Sequence, residues 1–225
     1  MQQKRQELGL SRFFDHLAQL RVSPILHCGR VLTAPRVGCL STMKGMNENK
    51  INLEEIVAIL KRTPASLTAL LGGLSEKWTN ANEGAETWSP YDVIGHLIHG
   101  ERTDWMVRAR HILAGETRPF DPFDRTAQFK ESQDKSLTAL LATFAQLRRD
   151  NLDELVALNL KGADMNRRGL HPELGEVTLE QLLATWVVHD LDHVGQISRT
   201  MAKVYADAVG PWQEYLSILH DRQRA

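Results

Sequence analysis

The chain has 225 residues, of which 42% are hydrophobic and 24% are charged, and its formal net charge at pH 7 is −1. This composition is typical of a soluble globular protein and excludes wholesale disorder, collagen and a scaffold built on disulfides. Since a domain averages about 150 residues, the length predicts one domain with an appendage, and no apolar run is long enough to predict a membrane span.

Residues 1–45 differ in charge from the rest of the chain. They hold seven basic and two acidic side chains, a net charge of +5, which leaves −6 for the other 180 residues. We expect a basic, disordered extension or an artefact of an early start codon, with Met43 or Met46 as the true start; a transit or nucleic-acid-binding tail is the third alternative. Without aromatic interleaving or a binding motif, nucleic-acid binding is not favoured. The two cysteines, Cys28 and Cys39, lie near no second pair of metal ligands, which favours a reducing cytoplasm.

The first two predicted helices follow this extension. Residues 51–74 carry apolar side chains at three- and four-residue spacing, and Pro64 marks a kink or a break. The second helix has a clear start, because Ser89 is a typical N-cap and Asp92 stands where a capping box places its acid. We expect this helix to continue to about residue 114 and to stop at Gly115.

Two more long helices complete the predicted domain, residues 46–225. Residues 135–160 carry one broad apolar face. A second capping box, formed by Thr178 and Gln181, starts a helix that continues to about residue 206, and a short last helix follows Pro211. The sequence shows no repeated strand-like alternation. It therefore predicts an all-α protein, a four-helix bundle with a short C-terminal helix, and bundle cores are where metal and ligand sites are usually built.

Candidate metal ligands lie on the second and fourth helices. His189 and His193 are four residues apart, so their imidazoles lie one above the other on one helix face. Such a pair alone is more often a surface pair or an ordinary pair at the core edge. A helical wheel places both at the edge of the apolar arc, which is where a ligand facing a cleft between helices would lie. On the second helix the wheel places His96 at the core edge and His99 on the solvent side. We therefore predict a divalent metal ion bound by His96, His189 and His193.

Three acidic residues fall inside predicted apolar faces, although a buried carboxylate without a partner is costly. They are Asp190, Glu101 and Asp104. One interpretation pairs them with structural donors, such as Arg108 four residues after Asp104. The other has Asp190 or Glu101 accept the second ring N–H of a ligating histidine. Both interpretations place these side chains inward.

Three separated segments in this order and spacing resemble the DinB-like superfamily, also called damage-inducible or YfiT-like metal-dependent hydrolases. The segments are Trp88-Ser89-Pro90, then Val93-Ile94-Gly95-His96-Leu97 with Glu101, and His189-Asp190-x-x-His193-x-x-Gln196-Ile197. The resemblance covers about residues 50–220 and has no counterpart for residues 1–45. It implies a four-helix bundle of up-down-down-up type in which three histidines, here His96, His189 and His193, hold a divalent metal ion.

The resemblance leaves the reaction open, because relatives include thiol-dependent S-transferases and a mycothiol-dependent isomerase. The first hypothesis is a metal-dependent hydrolase with Zn or Ni acting on a small molecule of unknown structure. The second is an S-transferase that takes its low-molecular-weight thiol from solution, and the third is a metal-binding stress-response protein without turnover. We expect the loops at residues 121–129 and 164–174 to line the substrate pocket. A homodimer is an open alternative.

Overall fold

The structure, a computed structural model, describes residues 51–220, and the predicted extension over residues 1–45 lies outside this range. The α-helices in the described range are α1 (Leu53–Leu60), α2 (Arg62–Leu71), α3 (Glu76–Thr79), α4 (Pro90–Thr103), α5 (Trp105–Ala114), α6 (Ala127–Glu131), α7 (Leu137–Ala157) and α8 (Leu179–Lys203). Strands β1 (Arg168–His171) and β2 (Gly175–Thr178) form an antiparallel hairpin directly before α8. Short 3-10 turns, Gly210–Tyr215 and Ser217–Leu219, stand where the last helix is predicted.

The helices form a bundle of four rods, namely α1 with α2, α4 with α5, α7, and α8. Helix α4 packs against both α7 and α8, and the first rod packs against the same two helices. The apolar core fills the space between the rods, and within it the ring of Trp105 stacks on that of Trp186 with centroids 5.6 Å apart. The all-α prediction is confirmed. Within residues 51–220 no helix is both long and apolar enough to cross a membrane.

Both predicted capping boxes are present at the starts of α4 and α8. The hydroxyl of Ser89 accepts a hydrogen bond from the backbone N–H of Asp92, and the Asp92 carboxylate accepts one from the backbone N–H of Ser89 at 2.9 Å. Thr178 and Gln181 exchange the same two bonds. These bonds satisfy donors that an uncapped helix leaves unpaired, and each cap contributes about 1 kcal/mol.

Two predicted helices are each divided in the structure. The first breaks at Lys61 rather than at Pro64, which lies in the first turn of α2, where a missing N–H costs no intrahelical bond. The second breaks at Asp104 and ends, as predicted, at Gly115, whose positive φ of 70° suits glycine. The hairpin and α6 were not predicted, because segments of four or five residues are too short to show a period.

Helix α6 lies unusually close to α4, and this contact shapes the surroundings of His96. A Cβ atom at Gly95 would collide with Oγ of Ser132 and lie 3.3 Å from Cβ of Gln128. The Tyr91 hydroxyl also donates to the backbone carbonyl of Ser132 at 2.6 Å. Glycine at position 95 thus lets α6 pack directly on α4 beside His96.

Candidate metal centre

The three predicted ligands lie together between α4 and α8. Nε2 of His189 lies 3.1 Å from Nε2 of His96 and 3.1 Å from Nε2 of His193. One ring nitrogen of each histidine lies within 4.8 Å of the others. The bundle therefore brings together two residues one turn apart on α8 and one residue from a helix that is 93 positions away in sequence.

The geometry and the hydrogen bonding of these rings suit a cation. Ligands at about 2.0–2.1 Å around a tetrahedral zinc ion are roughly 3.3 Å apart, close to the observed separations. A neutral imidazole nitrogen offers one proton or one lone pair, so Nε2 of His189 cannot satisfy both neighbours by hydrogen bonding. Ligation through Nε2 would leave the ring protons of His96 and His189 on Nδ1, two buried atoms that have no partner in the described part of the chain. A positive ion at the meeting point of the three Nε2 atoms would satisfy all three lone pairs.

Burial keeps the three imidazole rings in the neutral form, which is the form that binds a metal ion. Burial lowers the pKa of His96 to about 3, with smaller contributions from the charges of His193, His99 and Arg125. Burial also lowers the pKa of His189 well below its usual value, and lowers the pKa of His193. The imidazoles are therefore neutral at pH 7. Only a neutral imidazole has the lone pair that a metal ion requires.

Gln196 orients one of the three rings. Its Oε1 lies 2.9 Å from Nδ1 of His193, which places the ring proton on Nδ1 and the lone pair on Nε2. Gln196 stands one turn after His193 on α8, so the helix itself sets this contact.

We expect Gln196→Leu to weaken zinc binding by about 10- to 100-fold, because the histidine loses the partner that fixes its tautomer. The measurement is a competition titration with a chromogenic chelator. Gln146→Leu, on the exposed side of α7, serves as the control and should leave the affinity unchanged. Equal affinities for the Gln196 variant and the parent would contradict the orienting role.

The prediction for the surroundings of His99 is wrong. His99 is only 6% exposed, and its Nδ1 lies 3.0 Å from Oε1 of Glu131, which also pairs with Arg102 at 3.1 Å. A helical wheel treats a helix as having one buried side, whereas α6 covers a second side of α4. As predicted, His99 does not join the cluster of three imidazoles.

Arg148 on α7 is the important residue that sequence reasoning missed. Its guanidinium is 1% exposed and lies 2.7 Å from Oε1 of Glu101 and 2.6 Å from Oδ2 of Asp190. All three acids are inward as predicted, and Asp104 pairs with Arg108 at 2.5 Å. Neither Glu101 nor Asp190 bonds a histidine within residues 51–220, so the interpretation as a partner of a ligating histidine is wrong.

A signal for this ion pair is present in the sequence. Arg148 occupies the middle of the apolar row Leu140, Phe144, Leu152, four residues from each neighbour. A cation in an apolar stripe needs a buried partner, and two acids stand in apolar stripes of other helices. Matching these three misplaced charges would have identified the cluster.

Aromatic side chains surround the three imidazoles. The ring of Trp88 lies 4.8 Å from that of His96, and the rings of Phe123 and Trp105 lie 5.4 Å and 5.0 Å from His96 and His189, respectively. The segment 121–129 thus reaches the site as expected. The other predicted pocket segment, residues 164–174, includes β1 and instead contacts the chain at Pro119 and Phe120.

Comparison with known proteins agrees with this architecture. The sequence model of the DinB superfamily matches residues 59–197, more than half of the chain. Among solved structures, YfiT from Bacillus subtilis, described as a probable metal-dependent hydrolase with an unusual four-helix bundle topology, superposes with a TM-score of 0.60 at 20% sequence identity. The match covers 77% of this chain and 95% of YfiT. No curated protein matches the sequence significantly.

Proposed function

Because the chain belongs to the DinB superfamily, we propose that it binds one divalent metal ion through His96, His189 and His193 and acts as a metal-dependent hydrolase. The convergence of three neutral Nε2 atoms on one point carries this proposal. The description of YfiT, which shares the fold, supports it. Imidazole ligands suit several divalent metals, and we propose zinc or nickel.

Three protein ligands leave coordination positions open, which is typical of catalytic rather than structural metal sites. When bound, a divalent ion lowers the pKa of a coordinated water towards 7 and polarises a substrate carbonyl. The residues of this chain supply the remaining requirements. Gln196 holds one ligand in the correct tautomer, and Trp88, Trp105 and Phe123 shield the imidazoles from water on the sides that these rings cover.

Metal analysis of protein purified without a polyhistidine tag tests the proposal. We expect one zinc or nickel ion per chain, and hydrolysis of a member of an ester and amide panel that stops on chelation and resumes on addition of metal. His96→Gln should lose the metal. His99→Gln, on the same helix and equally buried, should retain it.

Two outcomes would contradict parts of this proposal. A chain that binds neither ion would overturn the metal site itself. A metal-loaded chain that leaves esters and amides intact but joins a low-molecular-weight thiol to an electrophile would replace hydrolysis with S-transfer.

A further inference from the structure

Trp88 and Phe123 lie against the imidazoles and Phe129 lies against Trp88, and we call these three aromatic residues the aromatic rim. The Trp88 ring is nearly parallel to that of His193, with an interplanar angle of 17° and centroids 6.4 Å apart. Phe129 contacts Trp88 edge-on at 6.4 Å. Phe123 lies edge-on to His96 at 5.4 Å. Trp88 and Phe129 thus contact each other, and Phe123 is linked to them through the ring of His96.

The rim comes from the connections between the long helices, whereas the candidate ligands come from the helices themselves. Trp88 precedes α4, and the two phenylalanines belong to the segment between α5 and α7. Phe129 is 49% exposed, so the rings of Trp88 and Phe129 lead from the buried imidazole of His96 to solvent. Trp105, in contrast, is buried and stacks on Trp186, which makes it part of the core rather than of the rim.

The charged side chains near the rim act on a bound molecule through its charge, not through its shape. Arg102 and Glu131 pair with each other, and Glu131 also contacts His99. Arg125 lies between the two phenylalanines in sequence, and its charge contributes to the low pKa of His96. Two substrates with the same anionic group at the metal would interact equally with the charge of Arg125. A difference in their affinities would then come from their contacts with the rim.

We propose that the site takes substrates whose reacting group is attached to a flat aromatic group, which packs against Trp88, Phe123 and Phe129. Aromatic pairs favour parallel-offset and edge-on arrangements. The exposed half of Phe129 and the exposed parts of the half-buried rings of Trp88 and Phe123 are available for such contacts. This inference rests on the proposed metal site, because the metal ion would hold the reacting group while the rim holds the ring.

Two hydroxamates, which bind zinc through the same two oxygens, separate the contribution of the rim from that of the metal. Zinc-loaded full-length protein is titrated calorimetrically with acetohydroxamate and with benzohydroxamate. The dissociation constant of acetohydroxamate is divided by that of benzohydroxamate, and this ratio is divided by the same ratio measured for aqueous zinc to give the corrected ratio. We expect benzohydroxamate to bind about tenfold more tightly after this correction, the size of a favourable aromatic contact. Both hydroxamates bind as the same anion, so the effect of the Arg125 charge is equal for the two and drops out of the ratio.

Variants locate the source of the preference. Phe129→Ala should reduce the corrected ratio to below about threefold without changing the affinity for acetohydroxamate. Phe123→Leu should reduce it as well. Tyr215→Ala removes another exposed aromatic side chain, 83% exposed and on the 3-10 turn after α8, and should leave the ratio unchanged.

The outcomes distinguish failure of the aromatic preference from failure of the proposed metal site. Equal corrected affinities for the two hydroxamates, or a ratio that survives both phenylalanine substitutions, would overturn the aromatic preference while leaving the metal site in place. Protein that retains no zinc after loading would overturn the metal site, and the inference with it. Zinc-loaded protein that binds neither hydroxamate would overturn the open coordination position on which the inference depends.

Discussion

Arg148→Met is expected to lower the free energy of unfolding by about 3–5 kcal/mol, the usual cost of leaving buried charges without their partner. Glu101 and Asp190 have fully buried side chains, and Arg148 donates to both. Burial raises the pKa of Glu101, while the positive charge of Arg148 opposes that shift. Methionine fills a similar volume but donates no hydrogen bond, so both carboxylates lose their counter-charge.

The expected effect is large because this one guanidinium joins all four rods of the bundle. In addition to the carboxylates on α4 and α8, Arg148 donates to the backbone carbonyl of Leu60 at 2.8 Å. That carbonyl lies at the end of α1, next to the break at Lys61, where the helix leaves acceptors unpaired. The Trp186 indole and the Asn151 amide donate further bonds to Glu101.

Urea denaturation of two matched variants tests this expectation. Arg149→Met changes the neighbouring, exposed arginine and should shift stability by less than about 0.5 kcal/mol. Adding Glu101→Gln and Asp190→Asn to Arg148→Met removes the uncompensated charge and should recover part of the loss. Equal stabilities for Arg148→Met and the parent would show that the ion pairs contribute nothing net.

The helices and their starts could be predicted from sequence, because each depends on residues close together in the chain. Ser89 with Asp92 and Thr178 with Gln181 cap their own helices, and no distant residue is needed to recognise them. The family resemblance was carried by motifs of the same local kind, and the match over residues 59–197 confirms it.

The parts that could not be predicted depend on contacts between distant segments. The burial of His99 requires α6, a five-residue helix with no periodic signal of its own. For Arg148 the misplaced charges in the sequence indicate which residues pair, but the geometry of the pairing requires three helices in register, since its partners are 47 and 42 residues away. For His96 the helical wheel could give a position at the core edge, but only the packing of α4 against α8 brings its Nε2 to His189.

The second large effect concerns metal linkage. If zinc binds the folded chain and not the unfolded one, free zinc at about 100 times its dissociation constant should add roughly 2.7 kcal/mol of stability. For a domain of this size, that corresponds to a rise in melting temperature of roughly 5–10 °C. His96→Ala and His193→Ala should each abolish the rise, because two imidazoles no longer hold the ion tightly.

His99→Ala is the matched control for this measurement, because His99 and His96 lie three residues apart on α4 and are both 6% exposed. Either substitution leaves a cavity and lowers the melting temperature of the metal-free protein, so only the increment on adding zinc separates them. The increment should remain in His99→Ala, whose ring pairs with Glu131 rather than with His189. An equal increment in the parent and in His96→Ala would place the zinc-binding residues elsewhere in the chain, because a ligand acts on stability only through the state that it binds.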